Sequence, residues 1–346
     1  MEKCHRISSD KGKIGRLIFF LRKRETEMRF NQIIRYGVGV IAACFLTTAT
    51  YAMDSLKLAV GAPGNWDTCV AEIGKRAGIF DKYGISLEML FTNGGGETMQ
   101  AVISGSVDIG IGAGTAAAMA AYVKGAPVRI LLAGTTGTND LFWYVPANSP
   151  IKAFSDTNAR TVAYSTNGAS THTTLLALID TFKTSAKPTG TGAAAVTLTQ
   201  AMTGQVDVGW ASPPFGLKQI RSGEIRVIAR GSDAPSTRDQ TVRVHIVNAQ
   251  ALTNRKDVFE RFARAYRESL AFLYDTPDGL RLYSEYAQID LDLAAKIRDD
   301  FMQKAALNPD RVSGIDAITK DAIGFKVLQK PLTDAELNDL IQIPAP

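Results

Sequence analysis

Residues 105–111 read GSVDIGI, and residues 204–210 read GQVDVGW. Each stretch contains a short run of β-branched residues beside glycines, which is the pattern of a buried strand. From Leu56 onward such runs alternate with helical stretches, and the same alternation restarts after Pro146. Because parallel strands need a long connection, usually a helix, the pattern predicts an α/β fold made of two units.

Two extended runs connect the predicted units. Residues 141–145 are apolar and aromatic, and residues 242–247 alternate apolar with polar side chains. We predict that both runs are crossings between two lobes. Beyond them, residues 257–274 carry apolar side chains in helical register, which predicts a tail that packs on the outside of the first lobe. The expected organisation is a leader at 1-52, lobe 1 at 53-143 and 247-346, and lobe 2 at 144-246.

The excess positive charge of the chain lies near its N-terminus. The 346 residues have a formal net charge of +5 at pH 7. Residues 1–52 contain ten Lys and Arg against four Asp and Glu, and the other residues contain 29 against 30. Because phosphate recognition needs a basic surface on the folded part, this balance predicts that nucleic acid is not a partner.

Residues 1–52 have the pattern of an export signal. A basic segment precedes an apolar stretch at 36–46, and small residues follow up to Ala52, after which we predict cleavage. We expect Met28 to be the true start, because a second basic and apolar patch lies upstream of it. A membrane-spanning helix is an alternative, but threonines break the run before the roughly 20 residues that a bilayer requires. Residues 41–44 resemble a lipobox, so a lipid anchor on Cys44 is an alternative to a free periplasmic protein.

Cysteine and histidine are too few to build a metal site. Cys4 and Cys44 lie in the leader, which leaves Cys69 alone in the mature chain. Only His172 and His245 remain there as imidazoles, and no CxxC spacing occurs. We therefore predict no intrachain disulfide, no metal and no cofactor.

Four loops follow predicted strands, at the edge where open α/β sheets place their ligands. They are rich in Gly, Ser, Thr and Asn. Backbone N–H groups at a helix N-terminus lack intrahelical partners and attract an anion or another acceptor. Simple helix capping is the alternative, because it favours the same residue types. The candidate ligand-binding residues are Asn65, Trp66, Asp67, Gly95, Gly96, Glu97, Gly114, Thr115, Thr166, Asn167, Ser170, Thr171 and Trp210.

The same regions hold few groups suited to catalysis. His172 follows Ser170 by two positions, and side chains two apart on a helix do not face each other. The sequence also lacks the nucleophile elbow GxSxG, so we predict that the protein is not an enzyme. Arg243 is a candidate partner for an anionic ligand, with an exposed hinge arginine as the alternative.

The order of these features resembles the bacterial solute-binding proteins of the nitrate, sulfonate and taurine uptake group, which are related to thiamine-pyrimidine binding proteins. The resemblance is carried by residues 77–85 (AGIFDKYGI), by Gly95-Gly96 and by the G-x-V-D-x-G units at 105–110 and 204–209. It implies a type II periplasmic-binding fold, in which two α/β lobes joined by two hinge crossings clamp a ligand. It also implies that the candidate loops hold that ligand.

The function implied by the resemblance is solute capture for uptake. The expected partner is the membrane permease of an ABC transporter, and we expect a monomer. The expected ligand is a small polar organic molecule or oxyanion of the sulfonate, nitrate or taurine type. Asp67 and Glu97 depart from this expectation because carboxylates repel an anion, so a neutral, zwitterionic or carboxylate ligand stays open. The sequence is also compatible with a pyrimidine or aromatic carboxylate ligand, an enzyme of pyrimidine metabolism, ligand sensing for a signalling partner, or a structural envelope protein.

Overall fold

The computed structural model describes residues 53–346. The predicted leader, with Met28, Cys44 and the cleavage site after Ala52, lies outside the described residues. Among the helices of residues 53–346, none combines the length and the apolar character that a bilayer crossing requires. The interpretation of residues 1–52 as an export signal therefore stays a prediction.

Ten strands form three sheets in residues 53–346. They are β1 (Asp54–Val60), β2 (Ile85–Phe91), β3 (Ile109–Gly114), β4 (Val128–Ala133), β5 (Phe142–Pro146), β6 (Thr161–Tyr164), β7 (Lys187–Gly190), β8 (Gly209–Ala211), β9 (Ile225–Arg230) and β10 (Arg243–Asn248). A five-stranded sheet has the order β2-β1-β3-β10-β4, and β10 runs antiparallel to both of its neighbours. A three-stranded antiparallel sheet has the order β8-β5-β9, and β6 pairs in parallel with β7. Only the five-stranded sheet is mixed, and the three-stranded sheet is wholly antiparallel, whereas the sequence pattern predicts parallel strands.

The α/β lobes are defined here by their sheets. The first lobe is the five-stranded sheet with the helices packed on it, and the second lobe contains the two smaller sheets. The helices are α1 (Val70–Arg76), α2 (Ile79–Lys82), α3 (Gly95–Ile103), α4 (Thr115–Val123), α5 (Ser170–Phe182), α6 (Ala194–Met202), α7 (Leu217–Ser222), α8 (Ala249–Asn254), α9 (Lys256–Asp275), α10 (Pro277–Ala287), α11 (Leu291–Lys296), α12 (Ile315–Gly324) and α13 (Asp334–Leu340). A π-helical turn, Ile297–Phe301, extends α11.

The repeated sequence motif has the same structural role in each lobe. Asp108 Oδ2 accepts a hydrogen bond of 2.8 Å from the backbone N–H of Lys57 in β1. Asp207 Oδ2 accepts a hydrogen bond of 2.8 Å from the backbone N–H of Thr161 in β6. The glycine three residues before each aspartate has a φ angle of +72° or +75°, which other residues adopt only at a cost. The motif therefore fixes a tight turn and attaches it to a neighbouring strand of its lobe.

The predicted crossings are wrong in position. Residues 142–145 belong to β5, the central strand of the three-stranded sheet, and residues 243–247 belong to β10 inside the five-stranded sheet. The chain passes between the sheets at residues 134–141 and 231–242 instead. A buried strand and an extended crossing have the same apolar pattern, so the sequence did not separate them. The predicted boundaries at 143/144 and 246/247 fall inside strands, and the exact lobe limits stay a proposal.

The helical tail packs on the five-stranded sheet of the first lobe. In α9 the buried side chains of Val258, Phe259, Phe262, Tyr266 and Leu270 recur at helical spacing. They belong to the same hydrophobic core as the first strands and as α1. The first lobe is thereby completed by the C-terminal part of the chain.

A separate core holds the second lobe together. Trp143 and Tyr144 of β5 are fully buried in it, together with Phe154. The indole N–H of Trp143 donates a hydrogen bond of 2.9 Å to the carbonyl oxygen of Ala163 in β6. This bond joins the two small sheets and positions the loop that follows β6.

Candidate functional site

A cavity of ≈ 60 Å³ lies between the lobes, at the carboxyl ends of β1, β2 and β6. Its wall consists mainly of Gly, Ala, Ser, Thr and Asn residues, and its charged side chains are Asp67 and Arg243. By the same measure one water molecule needs roughly 10–15 Å³, so the cavity holds roughly four to six waters or one small solute. The site in this conformation therefore suits a ligand of a few non-hydrogen atoms.

The two lobes are in contact around this cavity. The backbone N–H of Gly96, at the start of α3, donates a hydrogen bond of 2.9 Å to Thr166 Oγ1 in the loop after β6. Ser212 Oγ, after β8, donates to Asn65 Oδ1, after β1, at 3.3 Å. Each bond joins the first lobe to the second. The structure is therefore a closed form in which both lobes contribute to one site.

Three helix N-termini meet at the cavity. The helices α3, α5 and α6 begin at Gly95, Ser170 and Ala194, and all three residues line the cavity. The residue before each is a glycine or an alanine, and its side chain makes no capping hydrogen bond. Side chains of Asn, Thr or Asp cap α8, α10, α11 and α13, whereas α1, α2, α4, α7, α9 and α12 also begin without a side-chain cap. Helix capping therefore does not account for the composition of these loops.

The backbone donors at these termini are free to bind a ligand. Within residues 53–346, the N–H groups of Gly95, Ser170, Thr171 and Ala194 have no protein acceptor. An alanine in place of a capping residue costs about 1 kcal/mol of helix stability. Each helix N-terminus also carries roughly half a positive charge. The three termini together favour an oxyanion or another group rich in acceptors.

A buried charge cluster forms the floor of the site. Arg243 Nη1 lies 2.8 Å from Asp140 Oδ2 and 3.2 Å from Asp67 Oδ2. Arg243 Nε donates a hydrogen bond of 2.8 Å to Ser170 Oγ in the other lobe. The three charged side chains are nearly inaccessible to solvent, with Arg243 5% and Asp140 2% exposed. Arg243 is therefore a buried residue that joins the lobes. The alternative interpretation, that Arg243 is an exposed arginine at the hinge, is wrong.

Two further donors face or adjoin the cavity. Arg243 Nη2 makes no hydrogen bond within residues 53–346, although its other guanidinium nitrogens are engaged. Trp210 lines the cavity, and its buried indole N–H also has no partner in that part of the chain. An unsatisfied buried donor costs roughly 1–3 kcal/mol, which a ligand acceptor would recover.

Burial raises the pKa of Asp67. The nearby Arg243 guanidinium opposes this effect, and Asp140 reinforces it. The opposite balance holds for Arg243: burial lowers its pKa, but the carboxylates of Asp140 and Asp67 outweigh burial and raise it. Arg243 is therefore the permanent charge of the cluster, and Asp67 is its titrating member.

We expect Asp67 to make the free energy of unfolding depend on pH. A carboxyl whose folded-state pKa exceeds its unfolded value of 3.8 stabilises the fold fully below that value. This contribution is lost as pH rises through the folded-state pKa. Urea unfolding of the wild type and Asp67→Asn from pH 4 upward should show the wild type losing stability relative to the variant. A wild type that gains relative stability over that range would contradict this result.

The cavity brings together six of the thirteen predicted residues. These are Asn65, Asp67, Gly95, Ser170, Thr171 and Trp210. Three more line an adjoining open recess of ≈ 490 Å³, which shares Asn93 and Ser165 with the cavity. These three are Glu97, Thr166 and Asn167. The Glu97 carboxylate accepts hydrogen bonds from Asn93 and so lies outside the inner cavity.

The remaining predicted residues do not line the cavity. Trp66 is in the core, 1% exposed, and its indole N–H donates to the hydroxyl of Tyr274 at 2.7 Å. Thr115 is buried and donates to the carbonyl oxygen of Thr241. Gly96 and Gly114 instead form the contact between lobes, where Gly114 packs against the carbonyl oxygen of Gly168. The composition of the loops identified the right segments of the chain. It did not indicate which side chains line the cavity.

Sequence reasoning missed the third helix terminus. The sequence pattern predicts a strand at 189–193 or at 196–198, whereas β7 ends at Gly190 and residues 196–198 lie inside α6, which begins at Ala194. An alanine before a helix is not a capping signal, so the usual indication of a helix start was absent. The sequence also did not reveal the role of Arg243 in the site, because its partners Asp67 and Asp140 are far from it in the chain.

His172 has a structural role, and the buried Cys69 is not activated. His172 stacks on Tyr164, with ring centroids 4.3 Å apart, and its Nδ1 accepts the N–H of Gly168. Burial lowers the pKa of His172, which favours the neutral ring. Burial also raises the pKa of the Cys69 thiol well above its usual value, so the reactive thiolate is disfavoured.

Comparisons with known proteins agree with this architecture. A family model described as NMT1/THI5 like matches residues 71–279. A search of curated proteins found no match. The alkanesulfonate-binding protein SsuA from Xanthomonas axonopodis pv. citri, solved with MOPS, is 15% identical with a TM-score of 0.69, covering 84% of this chain and 98% of that chain.

Two further solved structures show what else this fold supports. The periplasmic nitrate-binding protein NrtA from Synechocystis PCC 6803 is 14% identical with a TM-score of 0.63, covering 83% of this chain and 85% of its own. The desulfurization enzyme DSZB is 16% identical with a TM-score of 0.58, covering 84% and 96%. The predicted fold of two α/β lobes is thereby confirmed as the type II periplasmic-binding fold. The chain belongs to the NMT1/THI5-like family.

Proposed function

We propose that this protein is the periplasmic solute-binding component of an ABC uptake transporter. It captures a small polar ligand with an oxyanion or a similar acceptor group, of the sulfonate, nitrate or taurine type, between its lobes. The observation that carries this proposal is the convergence of three uncapped helix N-termini on one closed cavity. The membrane permease of the transporter is the proposed partner, and the predicted export signal supports a periplasmic location.

Binding is favoured over catalysis by the groups that line the cavity. Ser170 is the hydroxyl nearest the charge cluster, and it accepts a hydrogen bond from Arg243 rather than contacting a base. A nucleophile needs an adjacent base to be activated, and a guanidinium cannot accept its proton. The fold itself does not decide the question, because DSZB is an enzyme with a similar fold.

The size of the cavity argues against the larger candidate ligands. A pyrimidine thiamine precursor or an aromatic carboxylate has more non-hydrogen atoms than a cavity of ≈ 60 Å³ holds. Either would require the lobes to stand further apart than they do here. The closed conformation therefore favours the smaller class of ligand.

A ligand screen tests this function. The purified protein is heated with nitrate, sulfonates, carboxylates, amino-acid-like zwitterions and pyrimidines in separate wells. A true ligand at 100 times its Kd should stabilise the fold by about 2.7 kcal/mol and raise Tm. Small-angle X-ray scattering should show compaction with the same compound, because the ligand favours the closed form. If no compound raises Tm and none compacts the protein, the function is refuted.

A further inference from the structure

The charge cluster contains one carboxylate more than it needs. Asp67 and Asp140 both contact the same nitrogen of Arg243, at 3.2 Å and 2.8 Å. The formal charge of the three side chains is therefore −1 when both carboxyls are ionised. An uncompensated buried charge is strongly destabilising, because water is excluded and no partner balances it. The pair of Asp140 and Arg243 would be neutral without Asp67.

Asp67 is the carboxylate that a ligand can reach. It lines the cavity, whereas Asp140 does not. Within residues 53–346, the only contact of the Asp67 carboxylate with a donor of another residue is the ion pair with Arg243. Asp140 is held by a shorter, well-aligned hydrogen bond from the same nitrogen. Both carboxylates keep unused acceptor capacity, since Asp140 Oδ1 is buried without a partner in the described part of the chain, but only Asp67 borders the cavity where a solute would sit.

The same cavity also carries unused donors. The N–H groups at three helix N-termini, Arg243 Nη2 and the indole of Trp210 supply these. Together the helix ends contribute roughly one and a half positive charges, which exceeds the negative charge of the cluster only slightly. A simple anion would satisfy the donors but would place a second negative charge beside Asp67, whose cationic partner Arg243 is shared with Asp140. A simple cation would satisfy Asp67 and leave the donors unpaired.

We propose that the ligand is a small zwitterion, whose ammonium group binds Asp67 and whose carboxylate or sulfonate binds the helix N-termini. This inference rests on the proposed function and adds the ligand class to it. Asp67 is then the residue that determines specificity. It accepts the amine of the ligand and rejects compounds of the same size that lack an amine, because the buried carboxylate then has only the guanidinium that it shares with Asp140.

Matched pairs of compounds test the ligand class. The purified protein is titrated calorimetrically at pH 7 with 2-aminoethanesulfonate and ethanesulfonate, and with 3-aminopropanoate and propanoate. We expect the amine-bearing member of at least one pair to bind at least tenfold more tightly than its partner. Asp67→Asn should remove that preference, and Asp316→Asn, which changes an exposed carboxylate on α12, should retain it.

The possible outcomes separate the two proposals. If the compounds without an amine bind as tightly as their partners, the zwitterion is refuted and solute binding still stands. The same conclusion follows if Asp67→Asn keeps the wild-type preference while its thermal unfolding shows a normal fold. If neither pair and no compound of the wider screen binds, the proposed function fails and the ligand class fails with it.

Discussion

Replacement of Arg243 by methionine is expected to lower the free energy of unfolding by about 3–5 kcal/mol. The guanidinium is the only cation in contact with Asp67 and Asp140 within residues 53–346. Its removal leaves two buried carboxylates without a counter-charge and breaks the hydrogen bond to Ser170. Urea denaturation of the wild type and the variant at pH 7 measures the difference.

Two companion variants show that the effect is electrostatic. Arg243→Lys keeps the charge but loses the planar arrangement of donors, so it should cost less than the methionine variant. Adding Asp140→Asn to Arg243→Met removes one of the stranded carboxylates and should recover part of the lost stability. A loss below about 1 kcal/mol for Arg243→Met would show that the cluster is hydrated rather than buried.

Gly114→Ala is expected to weaken ligand binding about 100-fold without unfolding the protein. A Cβ atom on residue 114 would overlap the carbonyl oxygen of Gly168 in the opposite lobe. The backbone of Gly114 is extended, with φ −66° and ψ 130°, so alanine introduces no strain of its own. If the overlap reduces the closed population to about 1%, the apparent Kd rises by the same factor. Calorimetry with the best compound of the screen measures the affinity.

Scattering and a control variant complete this test. Gly114→Ala should keep the larger radius of gyration of the open form even with ligand present. Gly324→Ala, where a Cβ meets no atom within 4 Å, should bind and compact as the wild type does. Wild-type affinity in Gly114→Ala would show that closure at this contact is not required for binding.

The fold was largely predictable because its pattern is local. The G-x-V-D-x-G units mark equivalent turns, since glycine permits the positive φ angle and aspartate holds the neighbouring strand. The helical tail could be recognised from its apolar spacing alone. The positions of the crossings could not be recognised from the sequence, because β5 and β10 are buried strands whose sequences look like any extended apolar segment.

The site was only partly predictable because it depends on contacts distant in sequence. The loops at Asn65, Gly95 and Ser170 were identified because strand ends and small polar residues coincide there. Trp66 could not be separated from its neighbour Asp67, although one faces the core and the other the cavity. The start of α6 carries no capping signal because its donors are left free. An uncapped start is shared by helices away from the cavity, so it is the convergence of three such starts that distinguishes the site.

The central claim is that one solute binds at the three helix N-termini between the lobes. A crystal structure with the tightest compound of the screen tests it most directly. We expect ligand oxygen atoms within hydrogen-bonding distance of the N–H groups of Gly95, Ser170 and Ala194 and of Arg243 Nη2. A ligand bound anywhere else on the protein, with these donors still free, would contradict this claim.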